Sequence, residues 1–424
     1  MSIKSKLTIL SFLELAVWGA YLTSMGGYLA SVGMGANIGY FYSIQGFVSL
    51  IMPALMGIVA DRWIPAQKTL SMCHLLAGLF MIAASVYCVQ YADKVQFPIL
   101  FGLYTASVAF FMPTIALSNS VSYNALDKAN LDAVKAFPPI RVFGTVGFIV
   151  SMWIVDLAGW QVTPYQFLWS GLLSLLMACY SLTMPDCATS ANAKTNSMVE
   201  ALGLEAFSLF RNYRMALFFI FSMLLGCCLQ ITNGYAGPFL QSFGSQEIYQ
   251  GTFGVEHSNI LISLSQISET LCILLIPFCL GKFGIKRVML MAMLAWVLRF
   301  GFFAIGDPGS GVWLLILSMI VYGIAFDFFN ISGSLFVDHE TDVSIRNSAQ
   351  GLFMMMTNGF GASVGMLVAG WVMNIYTINT DGLMLDRPGT GGWSEAWMIF
   401  AGYSLVVAVL FSILFRYKHE TPTK

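Results

Sequence analysis

The stretch DCATSANAKTNSMVEALGLE, residues 186–205, decides the fold. It holds most of the contiguous polarity in a chain of 424 residues. Before it, apolar stretches run 7–30, 37–60, 69–91, 98–122, 138–158 and 166–185. After it, six more run 213–240, 257–280, 286–306, 312–336, 346–375 and 394–416. Each is long enough for a membrane helix, which needs about 20 apolar residues. The pattern predicts an all-α membrane protein: twelve transmembrane helices in two six-helix halves. The expected division is an N-terminal bundle over 1–185, a cytoplasmic linker over 186–210 and a C-terminal bundle over 211–424.

Composition supports the same class. Apolar residues make up 58% of the chain and charged residues only 10%, whereas soluble domains carry about 25% charged residues. A globule of this size would lack the charge to coat itself in water. Lys plus Arg number 20 against 21 Asp plus Glu, so no basic excess attracts nucleic acid. Seven of the eight Cys lie in or beside apolar segments, where thiols pack as small apolar groups. The cysteines and histidines show no metal-ligand spacing. The run after Lys4 and Lys6 reads as a retained first helix rather than a cleaved signal, because it is too long and has no clear cleavage site.

The basic residues test the count of spans. Alternating the spans from a cytoplasmic N-terminus places sixteen of the twenty Lys and Arg on the cytoplasmic side and only Lys94 and Arg387 on the other. Arg141 and Arg299 fall within the membrane. One missed span would scramble this bias, so both termini are expected in the cytoplasm. The halves also echo each other. GIVADRW at 57–63 follows span two, and GKFGIKR at 281–287 follows span eight. Repeated halves with a substrate site between them are the usual plan of a secondary transporter. The first loop, with Gly57, Asp61 and Arg62, resembles the Gly-x-x-x-Asp-Arg pattern of the major facilitator superfamily; the second lacks the Asp. No phosphate-binding Gly-rich loop occurs, so no nucleotide cofactor is expected.

Ionisable groups at membrane depth cost about 3 kcal/mol each by insertion scales, so each needs a reason. Glu14, Arg141, Glu269, Arg299 and Asp327 are the candidates, with His74 behind them. Gln230 and Asn233, Gln266 and Glu269, and Asp327 and Asn330 each stand three apart, so each pair shares a helix face. Phe326, Phe328 and Phe329 flank the last pair. Amides exchange hydrogen bonds in both directions and aromatic rings offer stacking faces, which suits a flat, polar, uncharged ligand. Single amides in membrane helices also serve as glue between helices. Asp327 has a second reading as the structural partner of Arg299 or Arg141, and Arg299 itself reads as structural. Met354, Met355 and Met356 read as core filler. FPPIRVFGTVGF opens span five, with Arg141 and Thr145 four apart on a face expected to line a cavity. Glu14, Trp18 and Tyr21 form a similar stripe on span one.

At these residues the chain resembles a known family. FPPIRVFGTVGFI, LQITN, SQISET, SMIVYGIAFDFFNISGS, RNSAQG (346–351) and FAGYS (400–404) are similar to the nucleoside:proton symporter family of the bacterial major facilitator superfamily. The likeness runs through nearly the whole chain. PTIALSNSVSY and FPPIRVFGTVGF lean towards its xanthosine branch. The resemblance implies nucleoside import across the inner membrane, driven by protons. It implies substrate contacts at Arg141, Thr145, Gln230, Asn233, Gln266, Glu269, Tyr322, Phe326 and Asp327. It implies a Gln where this chain has Glu14, so the added carboxylate joins Glu269 and Asp327 as a candidate for the proton.

Nucleosides are neutral, so coupling requires a group that titrates. A buried carboxylate that takes a proton escapes the cost of burying its charge. The expected partners are a nucleoside, a proton and the lipid bilayer, with no cofactor, metal, nucleic acid or obligate protein. The competing reading is a facilitator-type porter for another neutral solute such as a sugar. A sensor would need a signalling domain. An intramembrane enzyme would need converging catalytic groups, and His74, His257, His339 and His419 are scattered.

Overall fold

The computed structural model describes residues 2–187, 204–342, 345–379 and 382–417. Residues 188–203 of the expected linker, with Lys194, and also Lys418, His419 and Lys424, lie outside the described residues. Twelve helical spans are present among the described residues. They are α1 (Ile3–Gly19, continued after a break by Met25–Ser31), α2 (Ile38–Arg62), α3 (Ala66–Tyr91), α4 (Phe97–Lys128), α5 (Ala133–Leu157) and α6 (Tyr165–Ser181). After the linker come α7 (Tyr213–Leu229 and Ile231–Ser242), α8 (Ser258–Phe283), α9 (Ile285–Ile305), α10 (Val312–Glu340), α11 (Arg346–Thr377) and α12 (Gly392–Leu414). Ten of them are long and apolar enough to cross a membrane; α1, which breaks after Gly19, and the 17-residue α6 complete the twelve. The only β feature among the described residues is a bridge between Ile378 and Met384.

The chain divides into two compact units, Met1–Ala201 and Leu202–Lys424. Inside the first, α1 packs on α5, α2 on α4, and α3 on both α4 and α6. Inside the second, α7 packs on α11, α8 on α10, and α9 on both α10 and α12. The two units therefore use one pairing scheme six helices apart. This repeat is far plainer in the packing than in the two short loops.

Close crossings explain the glycines at these seams. A Cβ on Gly147 of α5 would stand 2.1 Å from the Phe12 carbonyl oxygen of α1. In the equivalent pair, a Cβ on Gly226 of α7 would stand 2.3 Å from the Thr357 carbonyl oxygen of α11. Small residues let membrane helices approach at this range. Gly147→Leu is expected to cost about 1–3 kcal/mol through overpacking. It should lower the melting temperature of purified protein, and an unchanged melting curve would contradict the crossing. Between α8 and α9, Gly284 takes φ 75° and ψ 166°, a backbone state that glycine enters without a steric penalty.

The start of the linker is tied to the first unit. The Gln67 amide donates to Asp186 Oδ1 at 2.7 Å, and the Cys187 N–H donates to Gln67 Oε1 at 2.9 Å. Lys128 Nζ donates to the Asp186 carbonyl. Past the undescribed stretch, Leu204–Arg211 forms a 3₁₀ helix that leads into α7. The Met run divides: Met356 is buried, while Met354 is 52% exposed. Its reading as core filler is corrected for Met354, which stands off the face that Phe353, Met356 and Thr357 bury; α11 continues from there as a π-helix over Met355–Gly361.

Candidate functional site

In the second unit, α7, α8 and α10 carry seven of the predicted residues. Asn233 Nδ2 donates to Gln230 Oε1 at 2.9 Å, so the three-residue spacing does place both amides on one face. Gln230 sits where α7 interrupts its helix, with φ −92° and ψ −13°. On α8, the half-buried Gln266 lies beside Tyr322 of α10. Glu269, one turn on and half-buried, lies close enough for its charge to act on both Tyr322 and Asp327. Asp327 is buried, and its Oδ2 accepts no hydrogen bond among the described residues. The Tyr322 and Phe326 rings stack at 5.7 Å between centroids and 15° between planes. The result is two carboxylates, an amide, a phenol and a double aromatic face on adjoining helices.

Asn330 bonds back along its own helix. Its amide donates to the Phe326 carbonyl at 3.1 Å, and it lines a small crevice with Phe326, Phe329, Trp296, Gly226 and Thr357. Thr357 belongs to the π-helix of α11. Nothing in its sequence neighbourhood marks a π-helix, and no periodicity argument could have found it.

Arg299 of α9 is 2% exposed and forms no ion pair among the described residues. It donates to the Ser318 carbonyl at 2.8 Å, to Thr232 Oγ1 at 3.0 Å and to Ser265 Oγ at 3.3 Å. Its guanidinium lies 4.4 Å from the centre of the Tyr322 ring. The structural reading of Arg299 is therefore correct. The reading of Asp327 as its ion-pair partner is not: the two terminal nitrogens donate to neutral oxygens, the face of the guanidinium lies on Tyr322, and Nε has no hydrogen-bond partner among the described residues. Arg141 takes no ion pair either among the described residues. The cluster thus has a cation behind Tyr322 and two carboxylates beside it.

The remaining predicted residues belong to the first unit. Arg141 and Thr145 are half-buried on α5. Glu14 is buried: its Oε2 lies 2.9 Å from His74 Nε2, and its Oε1 accepts from Thr114 Oγ1 at 2.6 Å. Trp18 Nε1 donates to Gln45 Oε1 at 3.3 Å, and Gln45 Nε2 donates to the Tyr104 hydroxyl at 2.7 Å. The Tyr21 and Tyr104 rings meet edge to face. The span-one stripe thus points into its own bundle, against α2, α3 and α4. Sequence spacing missed these partners because they lie 27 to 100 residues away. A pocket of about 440 Å³ opens where the ends of α7 and α9 meet the segment before α12, lined by Phe239, Phe243, Gln246, Asp386 and Trp393. None of the predicted residues lines it.

Two helical bundles built on one pairing scheme, with titratable groups and stacked aromatics held at membrane depth, define a secondary transporter of the major facilitator fold, not an enzyme. The model of the nucleoside H+ symporter family matches residues 1–420, and the chain belongs to that family. Xanthosine permease of Escherichia coli (strain K12) is 48% identical, over 99% of this chain and 97% of its own. Nucleoside permease NupG of the same strain is 46% identical, over 100% and 98%. The crystal structure of the nucleoside transporter NupG superposes with a TM-score of 0.88, covering 99% of this chain and 100% of that one. A D-xylose-proton symporter shares the fold alone, at 14% identity and a TM-score of 0.70 over 98% of both chains. The sugar reading is not favoured.

Proposed function

We propose that this transporter carries nucleosides together with protons across the bacterial inner membrane into the cell, with both termini cytoplasmic. Gln230, Asn233, Gln266 and Tyr322 offer hydrogen bonds to ribose and base edges, and Phe326 offers a stacking face. Arg141 and Thr145 supply the contacts of the first bundle. Glu269 and Asp327 hold the driving proton. Two carboxylates this close resist ionising together, so a proton taken from outside relieves the pair before the nucleoside binds. Bundles 1–185 and 211–424, joined by the linker 186–210, then rock to release both ligands inside. The observation that carries this reading is the adjacency of Glu269 and Asp327 beside Tyr322 and Gln266.

The test is uptake of labelled uridine, adenosine and xanthosine into proteoliposomes, with and without an inward proton gradient. Gradient-driven accumulation of at least one is expected. Binding without accumulation would reduce the protein to a facilitator, and binding of none would overturn the substrate class. The aromatic face has its own test. Phe326→Ala is expected to weaken nucleoside binding about 3- to 10-fold, read by scintillation proximity, while Phe326→Trp retains a stacking face and keeps most of the affinity.

A further inference from the structure

We infer that Trp18 is a specificity-determining residue of the first unit, a fixed indole against which the nucleobase packs, and that Gln45 is the residue that positions it. The inference rests on the nucleoside reading and deepens it. Of the stripe on α1, only Trp18 keeps exposed surface: Glu14 is 3% and Tyr21 1% exposed, whereas Trp18 is half-buried. Its indole N–H can only donate, so the 3.3 Å contact with Gln45 fixes the amide oxygen on that side. The amide nitrogen then faces the Tyr104 hydroxyl, to which it donates at 2.7 Å. Both ends of the buried Gln45 amide are thereby used. Phe148 of α5 meets the indole edge to face at 6.4 Å between centroids, and Phe111 of α4 stands at 6.1 Å. The ring is thus oriented from α2, α4 and α5 together. A ring fixed before binding loses little rotamer freedom when a ligand meets it.

Its place on the bundle matters as much as its orientation. Arg141, Thr145 and Phe148 stand at i, i+4 and i+7, so they form one stripe along α5. Gly144 and Gly147 beside that stripe carry the crossing with α1: a Cβ on Gly144 would meet the Leu15 side chain and the Ser11 carbonyl, and one on Gly147 the backbone of Phe12. Further along, the Phe148 backbone lies against Gly19. Trp18 therefore sits at the Phe148 end of the stripe that carries the proposed first-unit contacts. A guanidinium, a hydroxyl and an indole in sequence suit a nucleoside, since the polar groups meet its hydrogen-bonding edges and the indole its flat base.

The second unit builds the same arrangement. α1 and the first segment of α7 each run 17 residues and then break. Gln45 of α2 beside Tyr104 of α4 corresponds, six helices on, to Gln266 of α8 beside Tyr322 of α10. Each of these four residues lies about two to three turns into its helix. In the second unit the Gln and Tyr pair adjoins Phe326, the ring proposed to stack on the base. In the first unit the ring that adjoins the equivalent pair is Trp18.

The experiment uses full-length protein in lipid nanodiscs, labelled with 5-fluorotryptophan, with the Trp18 line assigned by its absence from Trp18→Phe. Uridine, adenosine and xanthosine are added in turn, and binding is read separately by scintillation proximity. Each nucleoside that binds is expected to shift the Trp18 fluorine line. Trp18→Ala is expected to weaken binding about 3-fold for uridine and about 10-fold for adenosine, because two fused rings cover more of the indole than one. Trp18→Phe keeps a ring and should keep most of the affinity. Gln45→Met should move the Trp18 line without ligand and change the adenosine-to-uridine affinity ratio, whereas Gln45→Glu, which still offers the indole an acceptor, should restore both. A Trp18 line unmoved by a nucleoside that wild type binds, or an affinity ratio unchanged in Trp18→Ala, would overturn the role of Trp18 and leave the nucleoside reading standing. Wild type that binds none of the three would overturn both. A Gln45→Met variant with the wild-type line and ratio would overturn the positioning role. The fluorine shift decides even where Trp18→Ala fails to fold.

Discussion

Gradient-driven accumulation of nucleoside is expected to vanish in the Glu269→Gln, Asp327→Asn double variant. Nucleosides carry no charge, so a proton gradient can drive them only through a side chain that binds a proton in one state and releases it in another. Amides have the size and most of the hydrogen-bonding capacity of the acids they replace, but they do not titrate. A gradient of one pH unit is worth about 1.4 kcal/mol per proton, or tenfold accumulation. Wild-type vesicles should approach that ratio for one coupled proton, and the double variant should equilibrate near unity. Binding should survive within about tenfold, since an amide replaces each carboxylate and only charge-assisted hydrogen bonds are lost. The single variants then separate the two acids. The one that carries the proton abolishes accumulation by itself, whereas the other alters affinity. Accumulation by the double variant at the wild-type ratio would remove both residues from the coupling step and leave the buried Glu14 as the carboxylate to test.

The sequence made the spans legible because membrane burial needs long uninterrupted apolar runs, and charge bias fixes their number. Ionisable residues at depth stood out for the same reason: they are costly, so Glu14, Glu269, Arg299 and Asp327 announced themselves. Helical spacing also placed Gln230 and Asn233 on one face, where they are hydrogen-bonded. Partner choice was not legible. His74 is 60 residues from Glu14, and Thr114 and Ser174 lie on two further helices; only packing joins them. The sequence offered Asp327 a cation it does not use, because the reading assumed that opposite charges find each other. Arg299 instead spends its donors on Ser318, Thr232 and Ser265. The π-turn at Met355–Gly361 left no trace in hydropathy, since a rotated helix keeps its composition.

The largest expected stability effect belongs to Arg299. This guanidinium is the hub of the second bundle: it joins α9 to α7 through Thr232, to α8 through Ser265 and to α10 through Ser318. It also lies against the face of Tyr322 and, at 5.6 Å, near the ring of Phe303. Arg299→Ala removes most of a large buried side chain and leaves three oxygens short of a donor. Cavity and unpaired-acceptor costs together are expected to reach about 3–5 kcal/mol. Arg299→Met keeps much of the stem volume and loses only the donors, so it should melt between Ala and wild type. Arg299→Lys keeps the charge but lacks the planar fork that reaches several oxygens at once, so it should also fall short. Thermal denaturation of purified protein, followed by size-exclusion chromatography, would rank the four. The electrostatic part of the argument needs a second reading, because Tyr322 feels the charge of this cation as well as those of Glu269 and Asp327. If the charge matters as well as the packing, Arg299→Lys will keep gradient-driven accumulation while Arg299→Met loses it at a temperature where both remain folded. A melting temperature unchanged in Arg299→Ala would show that the hub is dispensable, and equal accumulation by the Lys and Met variants would confine Arg299 to packing.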